Sequence, residues 1–252
     1  MKTAAPFLRP AVLAFLLLLP LAARAAPGTA PAPAAEADEY AAPPVSDPLE
    51  RVNRAIFKFN DGFYRDVLRP FARGYERVVP QPVRHALTNF FDNLRFPVRF
   101  VSSALQARPG RATRETGKFL LNSTLGIGGL VRISDAVPAL AAVPDEDLGQ
   151  TFGVWGIGAG PYLVLPFLGP SSVRDTAGLV GNSCLNPVGW SRARHTVKGY
   201  DAKWRHGLQA VDLLNTSPEL LATYDSFKQA ALDPYVAVRN GYLQHRAAAV
   251  KQ

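Results

Sequence analysis

The chain has 252 residues, a formal net charge of +8 and one cysteine. A single cysteine excludes an internal disulfide, so the fold must hold together by burying surface alone. The excess of Lys and Arg suits an anionic surface such as lipid head groups or nucleic acid. An export signal at the start of the chain makes nucleic acid the wrong partner.

That signal occupies residues 1–25. Lys2 and Arg9 flank AVLAFLLLL (Ala11–Leu19), and Ala23-Arg24-Ala25 fits the small-x-small cleavage rule, so the mature chain is expected to begin near Ala26. The apolar run rises only about 14 Å as a helix, short of a hydrocarbon core, so it is not a retained anchor. Removing Lys2, Arg9 and Arg24 takes away three positive charges and leaves a net +5. No Cys follows the cleavage site, where a lipoprotein signal requires one; the sole cysteine, Cys184, reads as a small buried hydrophobe.

Residues 26–45 are rich in Ala and Pro and read as a flexible or polyproline-like tether. At Ser46 the texture changes. Asp47 is placed to cap a helix, Pro48 to open it and Glu50 to reach back to the cap, while Leu49, Val52, Ile56, Phe59 and Phe63 form one apolar stripe. The segment 81–97 repeats the pattern with Val83, Leu87, Phe90, Phe91 and Leu94. A further helix carries Val98, Val101 and Leu105 to a Pro109-Gly110 stop, and another runs through Phe119 and Leu120 to Gly126.

Segments 126–130 and 151–172 hold too much Gly and Pro for long helices, and Tyr162–Leu165 reads as a short buried strand. Val197, Tyr200, Trp204, Leu208, Val211 and Leu214 make a later stripe, and Ser217-Pro218-Glu219 and Asp233-Pro234 each look like the start of a short helix. The expected fold class is mainly α, a single domain of short amphipathic helices over residues 46–246 around a Gly/Pro-rich middle, with residues 247–252 as a tail. No mature segment reaches 18 consecutive apolar residues, the length expected of a spanning helix.

Chemistry is hard to find. His85, His195, His206 and His245 lack zinc-ligand spacing, and no GxSxG elbow occurs. Asp145-Glu146-Asp147 lacks a calcium-loop pattern and reads as a solvated loop. GIGAG (156–160) is a weak phosphate-cradle match. What stands out is Val52, Phe59, Phe63, Phe90, Phe91, Phe96 and Phe100 on short helices, with Arg51, Arg54, Lys58, Arg95 and Arg99 along their margins. Such helices serve either as an ordinary core or in a membrane interface, apolar side among acyl chains and cations near phosphates.

DPLERVNRAIFKFND, VVPQPVRHALTNFFDNLRFP, FLLNSTLGIGGLVRISD, DEDLGQTFGVWGIGAGPYLVLPFLGPSSVRD and DPYVAVRNGYLQHR resemble, in order, the successive blocks of the MlaA (VacJ) family and cover nearly all of residues 46–246. The resemblance implies a protein of the Gram-negative outer membrane that keeps phospholipid out of the outer leaflet. It implies a ring of amphipathic helices in the inner leaflet around an amphipathic channel, and association with a trimeric porin. It also implies transfer of phospholipid, the transported ligand, to a soluble periplasmic lipid-carrier protein, with no catalytic residue, metal or other cofactor.

By position in those blocks, Phe59 and Asn60, with Asp61 and Gly62, match the region implied to control the state of the channel. Gly126, Gly128 and Gly129 match the family's glycine block, and Gly156, Gly158, Gly160, Pro161 and Tyr162 its longest Gly/Pro block. Each glycine serves either the passage or a turn. Many relatives are acylated at a Cys after the signal, where this chain has Ala25-Ala26. Two other readings stay open: a peripheral periplasmic lipid-binding or scaffolding protein, and a phospholipid hydrolase.

Overall fold

The computed structural model describes residues 47–141, 144–189 and 202–252. The expected signal peptide, the tether, Ser46, His195, Val197 and Tyr200 fall outside them. Helix α1 (Glu50–Phe63) passes through a π-helical stretch (Tyr64–Leu68) into α2 (Arg69–Val78), making one continuous rod. Pro70 has no N–H for the carbonyl of Asp66, and the wider turn lies just ahead of it, where the Arg69 N–H reaches back five residues to Tyr64 O. Asp47 does not cap this helix. The cap residue is Leu49, and the Asp47 carboxylate instead accepts hydrogen bonds from Asn53 Nδ2 (3.0 Å) and the Tyr235 hydroxyl.

The π stretch sets the faces of the rod. At about 100° per residue, and less through the π turn, three stripes stay aligned along its length. Asn53, Asn60, Tyr64, Leu68 and Ala72 are buried; Val52, Phe59, Val67, Phe71 and Val78 are exposed; Arg51, Lys58, Arg73 and Arg77 are exposed on a third side. The apolar stripe of α1 is thus largely an outer surface, and its buried positions are asparagines.

Prolines then start a run of helices: α3 (Gln81–Leu94), α4 (Phe96–Leu105), α5 (Pro109–Thr124) and the single turn α6 (Pro138–Ala141). Pro109 opens α5 instead of stopping α4, which ends at Leu105 ahead of Ala107 at φ 55°. Helix α7 (Leu148–Val154) is capped by Asp147, whose carboxylate accepts from Gln150 N at 2.8 Å. Strands β1 (Tyr162–Leu165) and β2 (Gly169–Ser172) form an antiparallel hairpin, and Ser172 caps α8 (Val173–Leu185). Pro170 lies opposite Val164, whose N–H points away to Asn53, so its missing donor costs the ladder nothing.

Helix α9 (Ala202–Ala230) runs through Pro218, so Ser217-Pro218-Glu219 does not begin a separate helix. Proline leaves the carbonyl of Leu214 without its usual amide donor, and the Ser217 hydroxyl takes that place at 2.9 Å. Asp233 does begin α10 (Pro234–Lys251), its carboxylate accepting from Tyr235 N and Val236 N. This helix runs to Lys251 and the Gln252 carbonyl accepts from Arg111, so residues 247–252 continue the domain and form no separate tail.

Contacts run from α3 to α4, α4 to α7, α7 to α10, α10 to α9 and α9 back to α3, a closed circuit of helices. The rod lies outside it, α2 on α9 and α1 on β1. Two small apolar clusters fasten these joints: Tyr64, Leu68, Ala72, Leu213 and Leu221 in one, and Tyr162, Val164 and Tyr235 in the other. The mainly α, single-domain expectation agrees with this architecture, and no described helix is long and apolar enough to cross a membrane.

Candidate functional site: a polar interior behind an apolar surface

Phe59, Asn60, Asp61 and the strand that Tyr162 opens come together where α1 meets the hairpin. Asn53 and Asn60 are seven residues apart, two turns of one face, and both carboxamides hydrogen-bond the hairpin backbone. Asn53 Nδ2 donates to Tyr162 O (3.0 Å) and its Oδ1 accepts from Val164 N (2.9 Å); Asn60 Nδ2 donates to Leu165 O (2.9 Å) and its Oδ1 accepts from Phe167 N (2.7 Å). The Tyr64 hydroxyl donates to Phe167 O at 2.8 Å. The free edge of β1 and the hairpin turn are thereby satisfied by side chains of a helix.

Phe59 is half exposed and meets the Phe167 ring edge-on at 5.0 Å, with Phe63 on the same ring at 4.9 Å. Asp61 accepts from the Tyr224 hydroxyl (3.0 Å) and Lys228 Nζ (2.6 Å), which ties α1 to α9. Gly62 lies within the helix with open space where a Cβ would be. Truncating Asn60 to Ala is expected to strand a buried N–H and C=O at the hairpin turn and cost about 2 kcal/mol. Limited proteolysis should show faster cleavage near Phe167; an unaltered rate would mean that the hairpin holds without this latch.

The glycine block belongs to a different neighbourhood. Gly126 to Gly129 make the turn after α5, with Gly128 and Gly129 at φ 69° and 97°. A Cβ on Gly126 would fall 2.1 Å from Val131 O, so close backbone approach accounts for that glycine, and one on Gly129 would strike the Asn93 side chain. Gly158 lies in the open, Gly156 and Gly160 have φ of 85° and 69°, Pro161 is exposed and Tyr162 is buried.

Arg95 and Arg99 are not on a lipid margin; they point inward. Arg99 Nε donates to Glu115 Oε2 at 2.6 Å, with Lys118 Nζ 3.3 Å from the other oxygen of that fully buried carboxylate. Arg95 Nη2 donates to both oxygens of Asp212 (3.1 and 3.0 Å), and Arg95 and Arg132 share Asp92. Burial pushes the Asp212 carboxyl up, with Arg95 opposing.

Of Asp145-Glu146-Asp147, expected as a solvated loop, only Asp145 is exposed. Glu146 is buried and accepts from Gln106 Nε2 (2.8 Å), Arg108 (3.2 Å) and Arg111. Arg246 of α10 bridges Asp147 and Asp175, with Nη1 to Asp147 Oδ2 at 2.6 Å and Nη2 to Asp175 Oδ1 at 2.9 Å. Burial would raise the Asp175 carboxyl, but the bonds from Arg246 and Tyr242 hold it below its ordinary range. Cys184, expected to be buried, is exposed on α8. Apart from the i,i+3 pairs Asp92–Arg95 and Glu115–Lys118, these charged partners are far apart in sequence, and no spacing rule predicts them.

Among the described residues, buried polar and charged side chains outnumber buried hydrophobic ones, and the fully buried set is nearly all polar: Gln209, Glu115, Asn53, Asn182, Thr151 and Asp212 among others. Ser102 Oγ and Ser103 Oγ of α4, and Oε1 of Gln106 just after it, are buried with no partner among the described residues. Outside lie Phe71, Val78, Leu120, Leu125, Ile127, Trp155, Val180 and many more large apolar groups, far beyond the scattered exposure of an ordinary soluble surface. Burial of charge is tolerated because nearly every charge is paired and bonded.

Such a molecule, polar within and apolar without, falls in the class of amphipathic-helix proteins built against a lipid phase. Residues 45–249 match a family model described as MlaA lipoprotein. This chain belongs to the MlaA family. It is 33% identical over 201 residues to the Escherichia coli K12 protein named intermembrane phospholipid transport system lipoprotein MlaA, covering 79% of this chain and 76% of that one. An uncharacterized Rickettsia felis protein is 33% identical over 210 residues, covering 82% and 79%. A chain solved in work on the structural basis for maintenance of bacterial outer membrane lipid asymmetry superposes with a TM-score of 0.66 at 30% identity, over 82% of this chain and all of that one.

Proposed function

We propose that this protein is a non-enzymatic phospholipid transport component of the outer membrane. It takes mislocalised phospholipid from the outer leaflet through a polar-lined passage and gives it to a soluble periplasmic carrier, in company with a trimeric porin. The observation that carries the reading is the inverted packing: buried polar groups behind an apolar outer surface. A charged head group crossing hydrocarbon unaided loses several kcal/mol of hydration, and a polar interior lowers that cost while the tails stay in apolar surroundings.

In this reading the α1–hairpin junction, with Phe59, Asn60, Asp61 and Gly62 on one side and Gly158, Gly160, Pro161 and Tyr162 leading into the other, governs access to the passage. Gly126, Gly128 and Gly129 shape its far side. The buried charged groups are committed to ion pairs, a use that supports transport over hydrolysis. Deleting the gene in its host is expected to raise outer-leaflet phospholipid and detergent sensitivity. An unchanged outer leaflet would overturn the proposal, and release of the protein by high-salt washing would favour a peripheral scaffold instead.

A further inference from the structure

The rod of residues 50–78 has seven cations and four acids. Every acid has a cationic neighbour: Glu50 with Arg54, Asp61 with Lys228, Asp66 with Arg65 and Glu76 with Arg84. Arg54 also binds Asp233, and Arg69 binds Asp225. Arg51, Lys58, Arg73 and Arg77 are exposed and have no acidic partner among the described residues. Seven residues separate the first two, and the added residue of the π turn returns the second two to the same side, so the four share one face. That face adjoins the exposed apolar stripe of Val52, Phe59, Val67, Phe71 and Val78.

From this arrangement we infer that residues 50–78 form a docking rail for anionic phospholipid head groups. The apolar stripe lies among acyl chains and the cationic stripe meets phosphates along a length of about 40 Å. Charge complementarity selects the occupant: unpaired cations beside an apolar stripe match an anionic bilayer surface and gain nothing from a zwitterionic one. The inference adds a head-group preference to the proposed transport role and rests on that reading only for its biological purpose.

The test is flotation of the full chain with two vesicle types, pure phosphatidylcholine and an equal mixture of phosphatidylcholine and phosphatidylglycerol. The wild type is expected to prefer the mixed vesicles and to lose that preference at about 0.5 M salt, where screening shortens to about 4 Å. Replacing Arg51, Lys58, Arg73 and Arg77 together with Gln is expected to cut binding to mixed vesicles by about a hundredfold or more, leaving phosphatidylcholine binding and the far-UV spectrum unchanged. Replacing the three arginines with Lys is expected to retain the preference.

A wild type that binds both vesicles alike, or a salt-resistant preference, would overturn the rail. So would a folded Gln variant that keeps the preference. The salt arm needs no variant and decides the matter even if the substitutions unfold the chain. Outer-leaflet phospholipid in the deletion strain is a separate readout: no change there sinks the transport role while leaving the rail standing.

Discussion

Glu115→Ala is expected to destabilise the folded chain by about 3–5 kcal/mol. The Glu115 carboxylate is fully buried and holds Arg99 at 2.6 Å, itself nearly buried and bonded through Nη1 to Asp92 O. Removing the acid leaves a guanidinium in a poorly solvated place with Asp145, 3.7 Å away, as a weaker partner. Equilibrium unfolding in detergent micelles, followed by far-UV circular dichroism, measures the loss. The double variant Arg99→Met, Glu115→Leu is expected to recover most of it, because apolar groups of similar volume need no partner. If the single variant is as stable as the wild type, water reaches this pair and the Arg99 guanidinium does not depend on Glu115.

Gly178→Val is expected to cost about 3 kcal/mol or more. Helices α7 and α8 pack with backbone against backbone: a Cβ at Gly178 would lie 2.3 Å from Gly149 N and 2.6 Å from its Cα. Neither atom can rotate away, so the helices must separate. Because α7 joins α4 to α10 and carries one end of the Arg246 bridge, the separation opens the circuit. Gly62→Ala is the matched control: with open space at its Cβ and a helical backbone, it is expected to gain about 0.5–1 kcal/mol. Equal thermal stability of the two variants would show that the α7–α8 contact is loose enough to admit a side chain.

Element types were largely legible in the sequence, because prolines and caps act locally. Asp233-Pro234 opens α10, and Tyr162–Leu165 is the strand that its bulky run bounded by Gly and Pro suggested. Local rules failed where a distant group intervened. Ser217-Pro218 looks like a helix start, but a serine hydroxyl lets α9 continue, and the Asp47 cap was overridden by Asn53 and Tyr235.

Periodicity located the stripes but said nothing about which side faces in. A repeat of Val and Phe at three and four reads the same in a core and against lipid, so Asn53 and Asn60, the buried residues of α1, drew notice only as part of a family block. The outward bias of the apolar groups needed the burial itself to become visible. The ion pairs Arg99–Glu115, Arg246–Asp147 and Arg95–Asp212 join residues 16, 99 and 117 positions apart, distances over which pattern carries no information.

The π turn at Tyr64–Leu68 couples residue number to helical pitch in this rod. Tightening that turn to ordinary pitch with all five residues kept would swing everything downstream by about 100°. Ala72 would leave α9, Phe71 and Val78 would turn from their present outlook, and two arginines would point elsewhere. Relatives should therefore keep the residue count and the wide turn together, or lose one residue and the wide turn at once.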